Sequence, residues 1–452
     1  MGRTKRLSSA TSDGEVAPAK PAPEKPSAPD MSVRRCLATA AVIFVLAHVV
    51  LLLGLSTPDK FVFDEFHYVP AARQMLQPVL PQPMLNPMHP PLAKQFIALS
   101  IRAFGDNAFG WRYPGVLFGA LAIVAVYLCG LVLFAAQGPA IAAALIAFFN
   151  QMLFVQARTA MLDIFALSFG LFAIAAFMRG FREARPHPWF ALAGAGFGLA
   201  AACKWNGFFP LLVSLLIVAV VRLLQGWGTR FADPGPDDWY RPDAWPGFKW
   251  YYAAGCFLIV PALVYFATFI PLYGLSPSAI MEAQRRIFAD NTTSAIAGHT
   301  YQSAWPTWPL LMRPVWYLFD KASDDRIAAV VFLGNPLVLW PALLAIAICL
   351  RDFILRRSAE AFLILAFTLG TYLAWALLPR NLAFLYYYLP SATLASLALV
   401  YAMTRGKTPH WALWAFVAVA AAGFVVMLPI SAAFVGTSMQ TFNRLMLFRS
   451  WI

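Results

Sequence analysis

Residues Cys36–Val69 read CLATAAVIFVLAHVVLLLGLSTPDKFVFDEFHYV. The run from Leu37 to Leu55 carries no Asp, Glu, Lys or Arg. It has the length, about 20 apolar residues, that a helix needs to cross the hydrocarbon core of a bilayer. The polar segment before it is too long for a simple cleaved signal peptide, so the run reads as an anchor helix. Just beyond it the chain sets two carboxylates side by side, Asp64 and Glu65, framed by Phe63 and Phe66. Apolar flanks partly desolvate a carboxylate, which raises its pKa and its basicity. Adjacent side chains also diverge, so one acid can face a substrate while the other holds a cation.

Working outward, similar runs recur along the chain. They predict a polytopic, all-α membrane protein of about 11 transmembrane helices, at roughly 36–56, 112–134, 138–157, 160–178, 189–203, 207–224, 250–273, 328–350, 359–378, 382–402 and 410–431. Composition agrees. Of 452 residues, 60% are hydrophobic and 12% are charged, with a mean hydropathy of +0.65. A soluble domain carries about 25% charged residues. The net charge of +13 is spread over many short loops. That pattern fits topology signals and anionic lipid, and no nucleic-acid partner is expected. Cys36, Cys129, Cys203, Cys256 and Cys349 lie in or beside apolar runs without a C-x-x-C pair. They read as core residues, with no disulfide framework.

Residues 1–33, rich in Pro, Ala, Ser, Lys and Glu, are expected to be a disordered cytoplasmic tail. Residues 34–452 then form one membrane domain. Counting Lys and Arg over the loops puts the N-terminus in the cytoplasm of a multi-pass cell (inner) membrane protein. The loops at about 57–111 and 274–327 fall on the outer face. Three short outer turns break the positive-inside pattern with one basic residue each: Arg158, Lys204 and Arg380. One reading is snorkelling side chains at helix ends; the other is a positive outer cavity suited to a phosphate.

No G-x-x-x-x-G-K-[ST] or strand-linked G-x-G-x-x-G occurs, and the longest cytoplasmic loop, about 225–249, is too short for a nucleotide-binding domain. Chemistry here must use a substrate delivered in or beside the membrane. In the first outer loop, NPMHPPLAKQF (Asn86–Phe96) has Pro90-Pro91 opening an amphipathic helix, with His89 and Lys94 at its start. His67 and His89 together with the two acids leave a metal site open, although their spacing is not that of a compact ligand set. Arg112 opens the second span. Asp163 lies just inside the fourth, five residues from Arg158 and therefore off its helical face, so its partner is expected on another helix. CKWNGFF (Cys203–Phe209) and PRNLAFLYYYLP (Pro379–Pro390) each put a cation at a turn. Tyr386, Tyr387 and Tyr388 read first as interfacial belt aromatics, with a lipid-tail groove as the alternative. The second outer loop carries His299, three tryptophans and Arg313.

Taken together, Phe63-Asp64-Glu65 with His67-Tyr68, His89-Pro90-Pro91-Leu92 with Lys94, Trp111-Arg112, Arg158 with Leu162-Asp163, Lys204-Trp205 with Gly207, His299 through Ser303 before Trp308 and Arg313-Pro314, Arg380 with the Tyr-rich helix, and the closing Ser450-Trp451-Ile452 resemble the protein O-mannosyltransferases in their shorter bacterial form. The resemblance covers about residues 36–452. It implies a GT-C glycosyltransferase fold. It also implies transfer of mannose from a polyprenyl-phosphate-mannose donor to Ser or Thr hydroxyls of proteins on the outer face, with inversion. Such a scheme requires no cofactor or metal. Asp64 matches the catalytic base. Glu65 is expected to position a cation or the sugar, and Arg112, Arg158, Lys204 and Arg380 to face the donor phosphate. Asp163, His89, Lys94 and His299 complete the candidate site. Two alternatives remain: a GT-C transferase adding another sugar to a lipid or polysaccharide, and a lipid or sugar transporter. The acceptor proteins and the oligomeric state are not read from the sequence.

Overall fold

A computed structural model describes residues 32–81, 85–228, 235, 237–293, 298–321, 325–378, 382–406 and 408–452. The expected tail over 1–33 falls almost entirely outside these residues. The first helix, α1 (Val33–Leu52), is followed by α2 (Glu65–Gln74) and α3 (Leu92–Phe104), which form the first long loop. Next come α4 (Ala108–Phe134), α5 (Gln137–Phe148), α6 (Gln151–Ala157), α7 (Asp163–Arg182), α8 (His187–Cys203) and α9 (Phe208–Gly226). A broken segment follows: α10 (Trp250–Ala254), a π turn at Gly255–Ile259, α11 (Val260–Ala267) and α12 (Ile270–Tyr273). The second long loop holds α13 (Pro277–Thr293) and the strands β1 (Val315–Lys321) and β2 (Arg326–Phe332). The chain closes with α14 (Pro336–Arg356), α15 (Ala359–Leu377), α16 (Leu389–Thr404), α17 (His410–Ser431), β3 (Thr437–Ser438) and α18 (Met439–Leu445).

Among the described residues, eight helices are long and apolar enough to cross a membrane, or nine if α5 and α6 are one span bent by 67°. The expected number was eleven. The two further expected spans correspond to α8, of 17 residues, and to α16, whose 16 residues continue a 3-10 turn at Leu385–Tyr388. The break between α5 and α6 has a definite cause. Asn150 caps α6 by accepting from the Met152 N–H (3.3 Å), and the same oxygen accepts from the Asn335 N–H. Asn335 in turn caps α14 and donates to the carbonyls of Phe149 and Ala420. Two asparagines thus satisfy the backbone groups that the break exposes, as an apolar surround demands. The expected span at 328–350 begins later, at Pro336, because 326–332 is a strand.

That strand belongs to a small antiparallel sheet of order β1-β2-β3, which the sequence pattern did not reveal. The β1–β2 register shifts between Trp316 and Leu318, leaving Tyr317 as a bulge. The two long loops share one end of the bundle. Lys60 pairs with Asp320 (2.6 Å), and Asn291 donates to the Met88 carbonyl (2.7 Å). The opposite end is tied by arginines: Arg182 and Arg405 to Glu360, and Arg357 to Asp238.

Helix α8 carries Lys204 at its C-terminal end, and glycines set its position. Gly194 and Gly198, one turn apart, lie against the backbone of Cys256 and Pro261. The π turn precedes Pro261, which has no N–H to continue the helical ladder. A side chain at either glycine would collide with a carbonyl oxygen, so the small residues permit this backbone approach. Gly194→Val and Gly198→Val are therefore expected to lower the thermal midpoint of the purified protein. Gly226→Ala, with open space around it, should leave the midpoint unchanged.

Candidate active site

The turn Val62–Glu65 builds the site. The Glu65 N–H donates to the Val62 carbonyl (3.0 Å), and the Val62 N–H donates back to Glu65 Oε2 (2.9 Å). Between them Phe63 adopts φ 45°, a left-handed conformation that bulky side chains rarely take. Its ring stacks flat on Tyr317, with centroids 4.4 Å apart. This forced turn sends consecutive carboxylates to different places. Glu65 points inward and is fully buried, while Asp64 stays half-buried beside Tyr68.

Glu65 is locked. Its Oε1 accepts from Arg112 Nε and the Ala160 N–H (both 2.8 Å), and its Oε2 accepts from Arg112 Nη2 (2.9 Å) as well as Val62. Arg112 gives its other three N–H groups to the carbonyls of Leu55, Pro58 and Lys60. A guanidinium has five N–H donors, and all five are used. The expectation that Arg112 faces the donor phosphate therefore does not fit its geometry. Arg112 is a brace that ties the end of α1, the 55–65 turn and α4 together.

Asp64 is the acid left available. Its Oδ2 accepts from the Tyr68 hydroxyl (3.2 Å), and its other oxygen has no hydrogen bond among the described residues. Burial pushes the Asp64 pKa above the usual carboxylate range, against the opposing pull of Lys204, His67 and the Tyr68 hydroxyl. Burial, followed by the nearby Asp64 charge, also raises Tyr68 well above the ordinary phenol, so its proton stays in place as a donor. The His89 ring lies 5.9 Å from that of Tyr68. Lys94 sits behind, fully buried, donating to the carbonyls of Asn86 and His89 (both 2.8 Å). It fastens the Asn86–Pro91 loop, and burial drives its pKa down to about 7.

Asp163, at the start of α7, finds its partner on another helix, as its spacing predicted. Both of its oxygens accept from Lys204 Nζ, at 2.9 and 2.8 Å, in a buried pair. The ammonium also lies 5.0 Å over the Tyr386 ring and 5.4 Å over that of Tyr387. Tyr386, Tyr387 and Tyr388 are each no more than 4% exposed. Interfacial belt residues stand at a lipid–water boundary, so the belt reading fails for them. Tyr387 instead lines an apolar groove with Asp163, Gly170, Phe209, Trp375 and Leu394, between α7, α9, α15 and α16.

The remaining candidates lie around this centre. Arg158 donates to the Leu51 carbonyl (2.5 Å) and sits between the rings of Phe154 and Phe434, without a carboxylate within salt-bridge distance among the described residues. His299 is exposed at the rim, its ring 5.2 Å from Phe384, which stacks on Tyr386. Arg380 lies outside the described residues. Among those residues, no group of three or more His, Cys, Asp or Glu is placed to hold a metal ion. The sequence reading missed Tyr68 as the partner of Asp64, although the i, i+4 spacing on one helix carries that signal.

Comparison with known proteins points one way. Residues 103–272 match the family described as dolichyl-phosphate-mannose-protein mannosyltransferase, and residues 276–451 match the C-terminal four-transmembrane region of protein-O-mannosyltransferase. A polyprenol-phosphate-mannose–protein mannosyltransferase of Mycolicibacterium smegmatis is 28% identical, over 77% of this chain and 78% of the relative. Its namesake in Mycobacterium tuberculosis is 27% identical over 72% of each chain. The fold is similar to the Saccharomyces cerevisiae protein O-mannosyltransferase Pmt1-Pmt2 complex bound to the sugar donor, with a TM-score of 0.75, 14% identity and 93% of each chain covered. It is also similar to ArnT of Cupriavidus metallidurans bound to undecaprenyl phosphate, with a TM-score of 0.55, 16% identity, and 89% and 72% covered.

Two outcomes follow from the geometry. Glu65→Gln leaves Arg112 buried against a neutral partner, and breaking such a pair costs about 3–5 kcal/mol. Thermal or denaturant unfolding should show a large loss of stability. For Lys94 the folded pKa of about 7 lies below that of the unfolded chain. The unfolded state then binds more protons between about pH 7 and 10, so stability rises with pH over that window. Thermal midpoints of wild type and Lys94→Met should shift in favour of wild type as pH rises from 7 to 10. A constant difference would contradict the burial.

Proposed function

Because the chain belongs to the protein O-mannosyltransferase family and has the GT-C glycosyltransferase fold, we propose that this multi-pass membrane glycosyltransferase moves mannose from a polyprenyl-phosphate-mannose donor to Ser or Thr hydroxyls of acceptor proteins. Residues 34–452 act as one catalytic domain. The reaction takes place on the outer face of the cell membrane, with the N-terminus in the cytoplasm. The observation that carries this reading is the apolar groove, whose head holds Asp163 paired to Lys204, with Asp64 in electrostatic range of that pair.

The prenyl tail lies in the groove, and the phosphate comes to its polar head. Lys204 keeps one N–H beyond the two it gives to Asp163 and turns its charge to the site. Arg380 is proposed as a second phosphate ligand, and Arg158 as a more distant source of positive potential. Asp64 takes the proton of the acceptor hydroxyl as the oxygen attacks the anomeric carbon. The new C–O bond forms as the bond from that carbon to the phosphate oxygen breaks. The electron pair leaves with the lipid phosphate, whose charge nearby cations stabilise. Glu65 cannot serve as a nucleophile, because its oxygens are occupied by four N–H donors. One available carboxylate supports a single displacement, hence inversion. His89 and Lys94 shape the wall behind Tyr68, and His299 lies where the acceptor approaches. The scheme requires no metal.

The test is transfer by the purified protein from polyprenyl-phosphate-mannose to a Ser/Thr peptide. Wild type is expected to form product whose anomeric configuration, read by NMR, is opposite to that of the donor. Asp64→Asn should lower the rate by about 10²-fold or more. Its thermal midpoint near pH 7 should stay level or rise, since a half-buried ionised group is removed. Full activity of Asp64→Asn would reject the base, and movement of lipid without bond formation would favour a transporter.

A further inference from the structure

Gln156 has no assigned task, and its setting is unusual. It lies on α6, fully buried. Both its amide nitrogen and its amide oxygen lack a hydrogen bond of ordinary geometry among the described residues. Buried polar atoms are nearly always paired, because desolvation without a partner is costly. Tyr317, itself 5% exposed, has its hydroxyl in side-chain hydrogen-bonding range of Gln156, and it too makes no bond of ordinary geometry among the described residues.

Neither group is there by accident of packing. Tyr317 is the bulged residue of β1, and a bulge re-aims a side chain. Its ring is fixed between Phe63 at 4.4 Å and Phe332 at 5.7 Å. Phe63 is the neighbour of Asp64, and the Tyr317 hydroxyl lies in electrostatic range of both Asp64 and Asp163. On the other side, the Asn150 break turns α6 out of line with α5, and Gln151 pins it by donating to the Phe424 carbonyl (2.7 Å). Two independent irregularities, one in a helix and one in a sheet, bring incompletely bonded polar groups together near the proposed base.

We infer that Gln156 and Tyr317 form the subsite that recognises the hydroxyls of the transferred sugar. A primary amide offers a donor and an acceptor side by side, the pattern that grips two adjacent hydroxyls. The phenol adds a third bond from a rigid ring. Such a site discriminates between epimeric sugars, because a misplaced hydroxyl leaves a buried protein group unpaired. The lipid and phosphate are held elsewhere, by the groove and its cations. This inference rests on the proposed glycosyl-lipid reading, yet it depends on the sugar rather than on the lipid.

The experiment compares wild type, Gln156→Leu and Tyr317→Phe as full-length protein in nanodiscs. Equilibrium binding is measured for polyprenyl-phosphate-mannose, the glucose epimer, and the same polyprenyl phosphate without sugar. Each substitution is expected to weaken the mannosyl lipid about 3- to 10-fold. The sugar-free lipid should bind as before, and the gap between the two epimers should narrow. Thermal midpoints should hold or rise, because an orphaned polar atom has been removed from the interior. Equal weakening of sugar-bearing and sugar-free lipid, no change in either, or a fall in thermal midpoint with sugar selectivity intact would overturn the inference. If wild type instead prefers the glucosyl lipid and the substitutions erase that preference, the subsite stands and the assignment of mannose falls.

Discussion

The site depends on one buried ion pair. Arg112 and Glu65 meet across 47 residues of chain, with no solvent to share their charge. Two opposite charges in such a place persist only when every remaining lone pair and N–H is satisfied. Here that condition is met by four donors to the carboxylate and five acceptors for the guanidinium. The acceptors include carbonyls of the 55–60 segment, so the pair fixes the exit from α1 as well as itself. With Glu65 held, the next residue back is turned away from it, and Asp64 meets the Tyr68 hydroxyl with one oxygen while the other stays unbonded among the described residues.

A second buried pair, Asp163 with Lys204, joins the start of α7 to the end of α8 at the head of the apolar groove. The two pairs divide the electrostatic work. The first is closed and structural. The second is partly open: its lysine lies against aromatic faces and within range of Asp64. Around them, the Phe63–Tyr317 stack and the Asn150–Asn335 contact hold the loop, sheet and broken helix in register. The chain is irregular where it approaches the proposed reacting groups, the pattern expected when local strain serves a site.

How much of this was legible follows from what each feature leaves in a sequence. Long apolar runs are visible at a glance, so the membrane class and most helix positions could be read. The divergence of Asp64 and Glu65 follows from adjacency, and the partner of Asp163 from its mismatch with Arg158 on one helix. The helix break at Asn150 left little trace, because its caps are single asparagines within runs that stay apolar. The strand at 326–332 merged with the helix after it, since Ile and Val suit both. The saturation of Arg112 was invisible, because three of its acceptors are backbone carbonyls. Three tyrosines in a row look the same whether they face lipid, water or a groove, and only the packing decides.

The central claim is that Asp64 is a half-buried base whose pKa lies above that of an ordinary aspartate. A base works only when deprotonated, so transfer must fall as pH drops through that raised value. The decisive measurement is the pH dependence of kcat/KM for wild-type transfer to a peptide, with enzyme integrity checked at each pH. The account predicts an acid limb with its midpoint clearly above the ordinary aspartate value of about 3.9. A rate that stays flat down to that value would contradict it.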